Sequence, residues 1–237
     1  MTGQRRRVLL AALALPAGCT ITPLPPLPTA ALPAGGDTPV VLRSPAVGQR
    51  WTYRQLDFFN SRLVDVVEET VVAVTPTVRI RREARSGAGL ADEEHAPWGQ
   101  VLREAVWDYP MTFESPLPLW PATLAPGVIA SARSRYRVDD GSIRFWIEVS
   151  SAVHGWERVG VEAGTFDTLR VERQLRLEHQ DVLRTSTLRR DTLWLSAEVG
   201  RAVARETSGR YFVRGESRFL PSASREDHFR WQLTAWR

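Results

Sequence analysis

From Val41 to Arg237 apolar and polar residues alternate with period two, and turn residues interrupt the alternation at short intervals. Helical periodicity is scarce. Such alternation places apolar side chains on one face of a strand and polar ones on the other, so it specifies half-buried sheet. Candidate strands are 49–58, 63–74, 78–84, 98–108, 131–138, 142–150, 156–161, 168–178, 182–195, 201–206, 210–218 and 227–236. Turns are marked by Asn60-Ser61, Thr75-Pro76, Pro126-Gly127, Asp140-Gly141, Ala163-Gly164 and Ser208-Gly209. The expected fold class is all-β: an antiparallel meander of about 10–12 strands, curled into a barrel, half-barrel or sandwich. Residues 41–237 are enough for a single domain with one sizeable core.

One hairpin can be derived in register. Asp140-Gly141 suits a two-residue type I′ turn. Tyr136 then faces Phe145, Arg135 faces Trp146, Ser134 faces Ile147 and Arg133 faces Glu148. One face carries Val138, Ile143, Tyr136, Phe145, Ile147, Ala132 and Val149. The other carries Arg133, Arg135, Arg137, Arg144, Trp146 and Glu148, where an Arg135–Trp146 stack and an Arg133–Glu148 pair are expected. A slip of one residue would mix the faces, which pins the register. Arg137 opposite Arg144 is a like-charge conflict.

The strand 168–178 alternates as cleanly, with Leu169, Val171, Leu175 and Leu177 on one face. Arg173 interrupts that face and requires a partner, water or an edge. The last strand turns Phe229, Trp231, Leu233 and Ala235 inward. The segment 109–127 is rich in Pro and carries Met111, Phe113, Leu117, Leu119, Trp120 and Leu124, so it is expected to cover an opening or an edge of the sheet. The polar segment 85–97 is expected to be a mobile loop.

The N-terminus has a different composition. Arg5-Arg6-Arg7 precede an apolar run, Val8 to Leu15, too short to span a bilayer. Pro16-Ala17-Gly18-Cys19 follows. This resembles a bacterial lipoprotein signal, with Cys19, the sole cysteine of the chain, as the lipidated first residue of the mature protein. Pro16 stands where the pattern usually has Leu. The resemblance implies domains of 1–18 (signal peptide), 19–40 (lipidated Cys and a Pro-rich tether) and 41–237 (β-rich body). It also implies sorting to the periplasmic face of the outer membrane, since Thr20 is not Asp. Prolines 23, 25, 26, 28 and 33 favour extended polyproline geometry.

Composition excludes several functions. Lys is absent, and of the 31 Arg only three lie in the first 18 residues, where there is no Asp or Glu. The remaining 28 Arg face 27 acids, so the body is near neutral and lacks the basic excess of a nucleic-acid reader. One Cys allows no internal disulfide or cysteine zinc cage. His95, His154, His179 and His228 are scattered, and no nucleophile elbow, His-Glu-x-x-His or phosphate-binding glycine loop is found. No cofactor is implied. Ser150, Ser151 and His154 near Asp139 and Asp140 leave a hydrolytic triad as a remote reading, and Glu93-Glu94 a remote acid–base pair.

Three segments resemble a loose set of uncharacterised bacterial periplasmic lipoproteins: Gly48-Gln49-Arg50-Trp51-Thr52-Tyr53-Arg54; Ala163-Gly164-Thr165-Phe166 within 159–171; and Trp194-Leu195-Ser196-Ala197-Glu198-Val199-Gly200. Glu162 and Ala197 replace the family's usual prolines. A more distant fold analogy is to LolA/LolB-like lipoprotein carriers. The first reading is a non-catalytic, membrane-anchored protein that binds a lipid or amphiphile, or an envelope protein partner, using the apolar concavity of a curved sheet and segment 109–127 as a lid. The ligand-binding candidates are then Phe113, Leu119, Trp120, Phe145, Trp146 and Trp194. The alternative is an assembly component with a filled core and a working outer surface; an open apolar cavity or a solid core distinguishes the two.

Overall fold

The structure, a computed structural model, describes residues 23–32, 39–105, 109–138, 141–213 and 223–237. Cys19, the signal segment and the Asp139-Asp140 corner lie outside them. Among the described residues thirteen strands are present: β1 (Thr29–Ala31), β2 (Arg50–Asp57), β3 (Leu63–Ala73), β4 (Val78–Ala84), β5 (Glu93–His95), β6 (Gln100–Glu104), β7 (Met111–Pro118), β8 (Ile129–Val138), β9 (Phe145–Val161), β10 (Gly164–Leu177), β11 (Arg184–Ser196), β12 (Arg201–Val213) and β13 (Ala223–Trp236). β2 to β13 close through β13–β2 and β8–β9 into a twelve-stranded antiparallel barrel. β1 adds to β9 beyond the point where β8 leaves it. Of the three expected shapes, the closed barrel is the one formed, and closure removes the sheet edges.

The derived hairpin register is the observed one, with Tyr136 opposite Phe145 and Arg133 opposite Glu148. Arg133 Nε lies 2.9 Å from Glu148. Arg144 escapes Arg137 by pairing with Glu114 at 3.0 Å. Trp146 receives Arg176 from β10, 5.6 Å from its ring, where Arg135 was expected. Ile143 is 66% exposed, because the ladder begins at Tyr136–Phe145 and the tip beyond it meets solvent.

Segment 85–97 and the Ser208-Gly209 turn depart from expectation, and segment 109–127 meets it. Segment 85–97 contributes β5, in which Glu93 and His95 are buried. Segment 109–127 contributes β7, and Leu117, Leu119, Trp120 and Leu124 enter the core, so it serves as structural cover. Ser208-Gly209 is a bulge inside the continuous strand β12. A Cβ on Gly209 would sit 2.5 Å from Glu226 Oε2, so the glycine admits the β13 carboxylates against the backbone and makes no turn. A further bulge after Leu233 shifts the phase of β13 and leaves Ala235 exposed.

The walls have a consistent polarity. On β10 Leu169, Val171, Arg173, Leu175 and Leu177 face the lumen, while Gln174 and Arg176 face out. Arg133, Arg135 and Arg137 are exposed on β8. A membrane-spanning barrel needs an apolar outer band; this charged exterior is a surface for water. Among the described residues no helix is long and apolar enough to cross a membrane.

Residues 23–32, read from the sequence as a tether, lie along the barrel wall. Leu24 N–H donates to Phe58 O at 3.0 Å, Arg230 Nη1 donates to Pro25 O at 2.5 Å, and Leu32 N–H donates to Trp156 O at 3.1 Å. Leu27 is only 7% exposed, in a core cluster with Phe166 and Trp194. Prolines lack N–H groups, so the strap is held by the N–H groups of Leu24 and Leu32, by the Pro25 carbonyl and by one apolar anchor, Leu27.

Gly200 ends the turn after β11 with φ +75°, and a Cβ there would meet Arg43 O at 2.4 Å. Gly48 has φ +88° in open space. Gly200→Ala is therefore expected to lower the thermal midpoint distinctly more than Gly48→Ala, whose cost is the backbone strain of about 1 kcal/mol alone. Equal shifts in thermal unfolding would contradict the close approach.

Candidate functional site: a packed lumen and a basic outer trough

Eight strands already give a barrel that side chains can just fill, and twelve enclose more. Here the larger interior is closed by charged pairs between opposite walls. Arg173 of β10, with no exposed surface, makes two parallel bonds of 3.1 Å to both oxygens of Glu104 on β6. The same guanidinium reaches Asp191 of β11 at 3.0 Å. Arg205 of β12 donates to Glu104 at 2.9 Å and Asp191 at 2.6 Å. Two cations and two anions thus neutralise one another. The partner that Arg173 demanded is present, 69 residues away in the chain.

A second network lies toward the other end. Arg201 of β12 reaches Glu93 of β5 at 3.0 Å and Glu69 of β3 at 2.9 Å. Arg82 holds Glu69 at 3.1 Å and donates to Ala105 O at 2.6 Å, and His95 lies 2.6 Å from Glu93. The Arg201 guanidinium also sits near the rings of Trp51 and Trp98, at 5.3 and 5.7 Å. Between the networks remains a void of about 30 Å³, room for one or two waters and for no acyl chain.

The electrostatics follow from burial and pairing. Burial pushes Glu104 up, but the charges and hydrogen bonds of Arg173 and Arg205 outweigh it and hold its pKa at about 2. Glu93 is likewise pushed up by burial and brought well below the ordinary range by Arg201 and His95. Burial depresses Arg205 and Arg201, and the carboxylates around them more than restore their charge. Tyr53, donating to Ala202 O at 2.8 Å, is raised by burial.

The six candidate residues do not form one pocket. Phe113, Leu119 and Trp120 lie in the larger core cluster with Phe145 packed against it. Trp194 belongs to the other cluster and donates to Glu157 at 2.8 Å. Trp146 stands on the outer wall beside Arg176. The triad candidates also separate. Ser151 is buried, while Ser150 and His154 are four residues apart on one strand, about 13 Å. His154 faces Glu172 at 3.4 Å. Glu93 is held by Arg201 and His95, whereas Glu94 bonds to Thr77 at 2.5 Å. Among the described residues no three His, Cys, Asp or Glu converge as metal ligands.

The outer wall carries a site that the linear sequence conceals. An open trough of about 1320 Å³ runs across β8 to β13, flanked by Pro23, Phe58 and Phe59. Strand register builds it in rows. One row aligns Arg133, Glu148, Arg176, Leu188, Arg210 and Arg225. The next aligns Ser131, Ser150, Gln174, Arg190, Ser208 and His228. The trough is lined by six arginines, of which Arg189 is buried and paired with Glu226 at 2.9 Å, against two carboxylates. Arg210 and Arg225 are direct cross-strand partners, a like-charge opposition that costs stability. His228 stacks on Phe58 at 3.8 Å, and burial, its largest influence, lowers its pKa.

Two solved structures share this fold. A predicted lipoprotein of Parabacteroides distasonis is 13% identical, with a TM-score of 0.53 over 85% of this chain and all of its own. A predicted exported protein of Bacteroides fragilis with a YmcC-like fold is 12% identical, with a TM-score of 0.51 over 84% of this chain and all of its own. At such identity the likeness is one of fold. No protein-family profile and no curated protein matches the chain.

Glu104 links the lumen to pH. Its folded pKa is depressed from 4.5 to about 2, so its contribution is full above pH 4.5 and is lost as pH falls through 2. Acid titration of stability is expected to show a loss across this window that Glu104→Gln flattens. An unchanged acid profile in that variant would contradict the pairing.

Proposed function

We propose that this protein is a lipid-anchored component of the bacterial cell envelope, non-catalytic, working through the outside of a filled barrel. The observation that carries this reading is the lumen. Two ion networks and the Trp51, Trp98 and Trp120 rings occupy it, and the void between the networks is only about 30 Å³. A carrier of acyl chains needs an apolar interior volume many times larger. Of the two sequence readings, the one with a filled core and a working surface is therefore favoured. The basic trough is the surface best shaped for it.

Export and anchoring rest on Arg5-Arg6-Arg7, the apolar run and Ala17-Gly18-Cys19. The shared fold with a predicted lipoprotein and a predicted exported protein supports this placement. Lipid on Cys19 would hold the barrel at a membrane surface through buried methylenes. Thr20 after the cysteine favours the periplasmic face of the outer membrane.

The test is the intact mass of the mature protein purified from membranes of a lipoprotein-processing bacterium. The expected chain begins at Cys19 and carries covalent acyl groups; a Cys19→Ser variant is expected to stay unprocessed. A mature chain with a free Cys19 thiol, or one cut elsewhere, would refute the anchor.

A further inference from the structure

The strap and the trough fix how the barrel stands on its membrane. Pro23, the first described residue, lines the trough beside Phe58 and Phe59. The strap after it is held by Leu24, Pro25 and Leu27, so Pro23 cannot wander from that lip. Cys19 is four residues before it. Four residues span at most about 14 Å in any conformation. Acyl chains on Cys19 would therefore enter the bilayer close to the trough mouth, whatever path residues 20–22 take.

The trough's charge fits what it would meet there. The mature chain is nearly neutral, yet this one concavity gathers six arginines and two carboxylates. Three of them are engaged: Arg133 pairs with Glu148, Arg190 with Glu172, and buried Arg189 with Glu226 at 2.9 Å. Among the described residues Arg176 lies over the Trp146 ring at 5.6 Å and Arg225 over the Phe59 ring at 5.7 Å. Exposed Arg210 stands opposite Arg225. A cationic pair facing itself across two strands is disfavoured until an anion comes between. Arginine's planar fork matches phosphate oxygens. The neighbouring row of Ser150, Gln174 and Ser208 adds neutral donors for the hydroxyls of a headgroup.

We infer that the trough binds the anionic phosphate headgroups of lipids in the leaflet that holds the Cys19 anchor, seating the barrel with β8–β13 toward the membrane and β4–β6 away from it. The inference rests on the anchoring proposed above. Headgroup attraction of this kind acts only within about a Debye length, and the short reach from Cys19 keeps the arginines inside it.

The experiment uses the processed, lipidated chain reconstituted into vesicles of phosphatidylcholine, with or without a minor fraction of phosphatidylglycerol. A fluorophore is placed on Ser150→Cys in the trough or on Glu83→Cys across the barrel, and headgroup-labelled lipid serves as quencher. The inference expects quenching at position 150 in anionic vesicles, little at position 83, and loss of the signal with Arg210→Gln/Arg225→Gln or in high salt. Free glycerol phosphate, added as a soluble competitor, is expected to reverse the signal only at great excess. Equal quenching at both positions, quenching at 150 that does not depend on phosphatidylglycerol, or persistence in the double variant would overturn it. Failure of the protein to float with either vesicle would instead refute the anchor, and thermal unfolding of each variant separates lost contact from lost fold.

Discussion

The structure depends on the four-group cluster of Arg173, Glu104, Asp191 and Arg205. A closed wall of twelve strands encloses more space than apolar side chains on short-linked strands readily fill. Arg–carboxylate pairs solve this by length: the two-pronged contact from β10 to β6 pins opposite walls together. Buried ions are costly to desolvate, and the cluster offsets that cost only because each carboxylate meets two guanidinium groups. Such a cluster is also specific. Moving β6 by one residue would turn Glu104 outward and leave Arg173 and Arg205 facing Asp191 alone, so the network guards the register of a short strand that has little apolar patterning of its own.

A lumen committed to ion pairs leaves the exterior to act. That exterior is uneven. Several outward charges are answered by a neighbour, as Arg158 is by Asp167 at 2.7 Å or Arg144 by Glu114. In the trough, positive charge accumulates without full compensation and an arginine faces an arginine. Folding alone would select against that arrangement, which is the physical reason to read it as a binding surface. The strap would supply the orientation, because Pro23 at its start lines the trough's lip.

The sequence was most legible where interactions were local. The Asp140-Gly141 corner with its alternating flanks yielded a register that the barrel reproduces, and Arg173 stood out as a charge on an apolar face. Its partner Glu104 did not, since nothing local links a residue of β6 to one of β10. β5 and β7 were read as a polar loop and a lid because their residues are irregular: Glu93 and His95 look solvated until Arg201 is placed beside them. Ser208-Gly209 resembled a turn, yet the glycine serves a close approach by Glu226. The trough was invisible for a related reason. Arg133, Arg176, Arg210 and Arg225 lie scattered over ninety-odd residues, and only the ladder lines them up. Of the site candidates, Phe113, Leu119 and Trp120 pack the interior, whereas Trp146 stands on the outer wall.

The most direct test of a lumen closed by paired charges is a double-mutant cycle between Glu104→Leu and Arg173→Met, read by urea unfolding. Each single change strands a buried charge and is expected to cost about 3–5 kcal/mol. The double variant leaves Arg205 and Asp191 balanced and is expected to cost less than the sum of the two singles, by a coupling of roughly 2 kcal/mol. Additive losses, with no coupling between β6 and β10, would contradict the account.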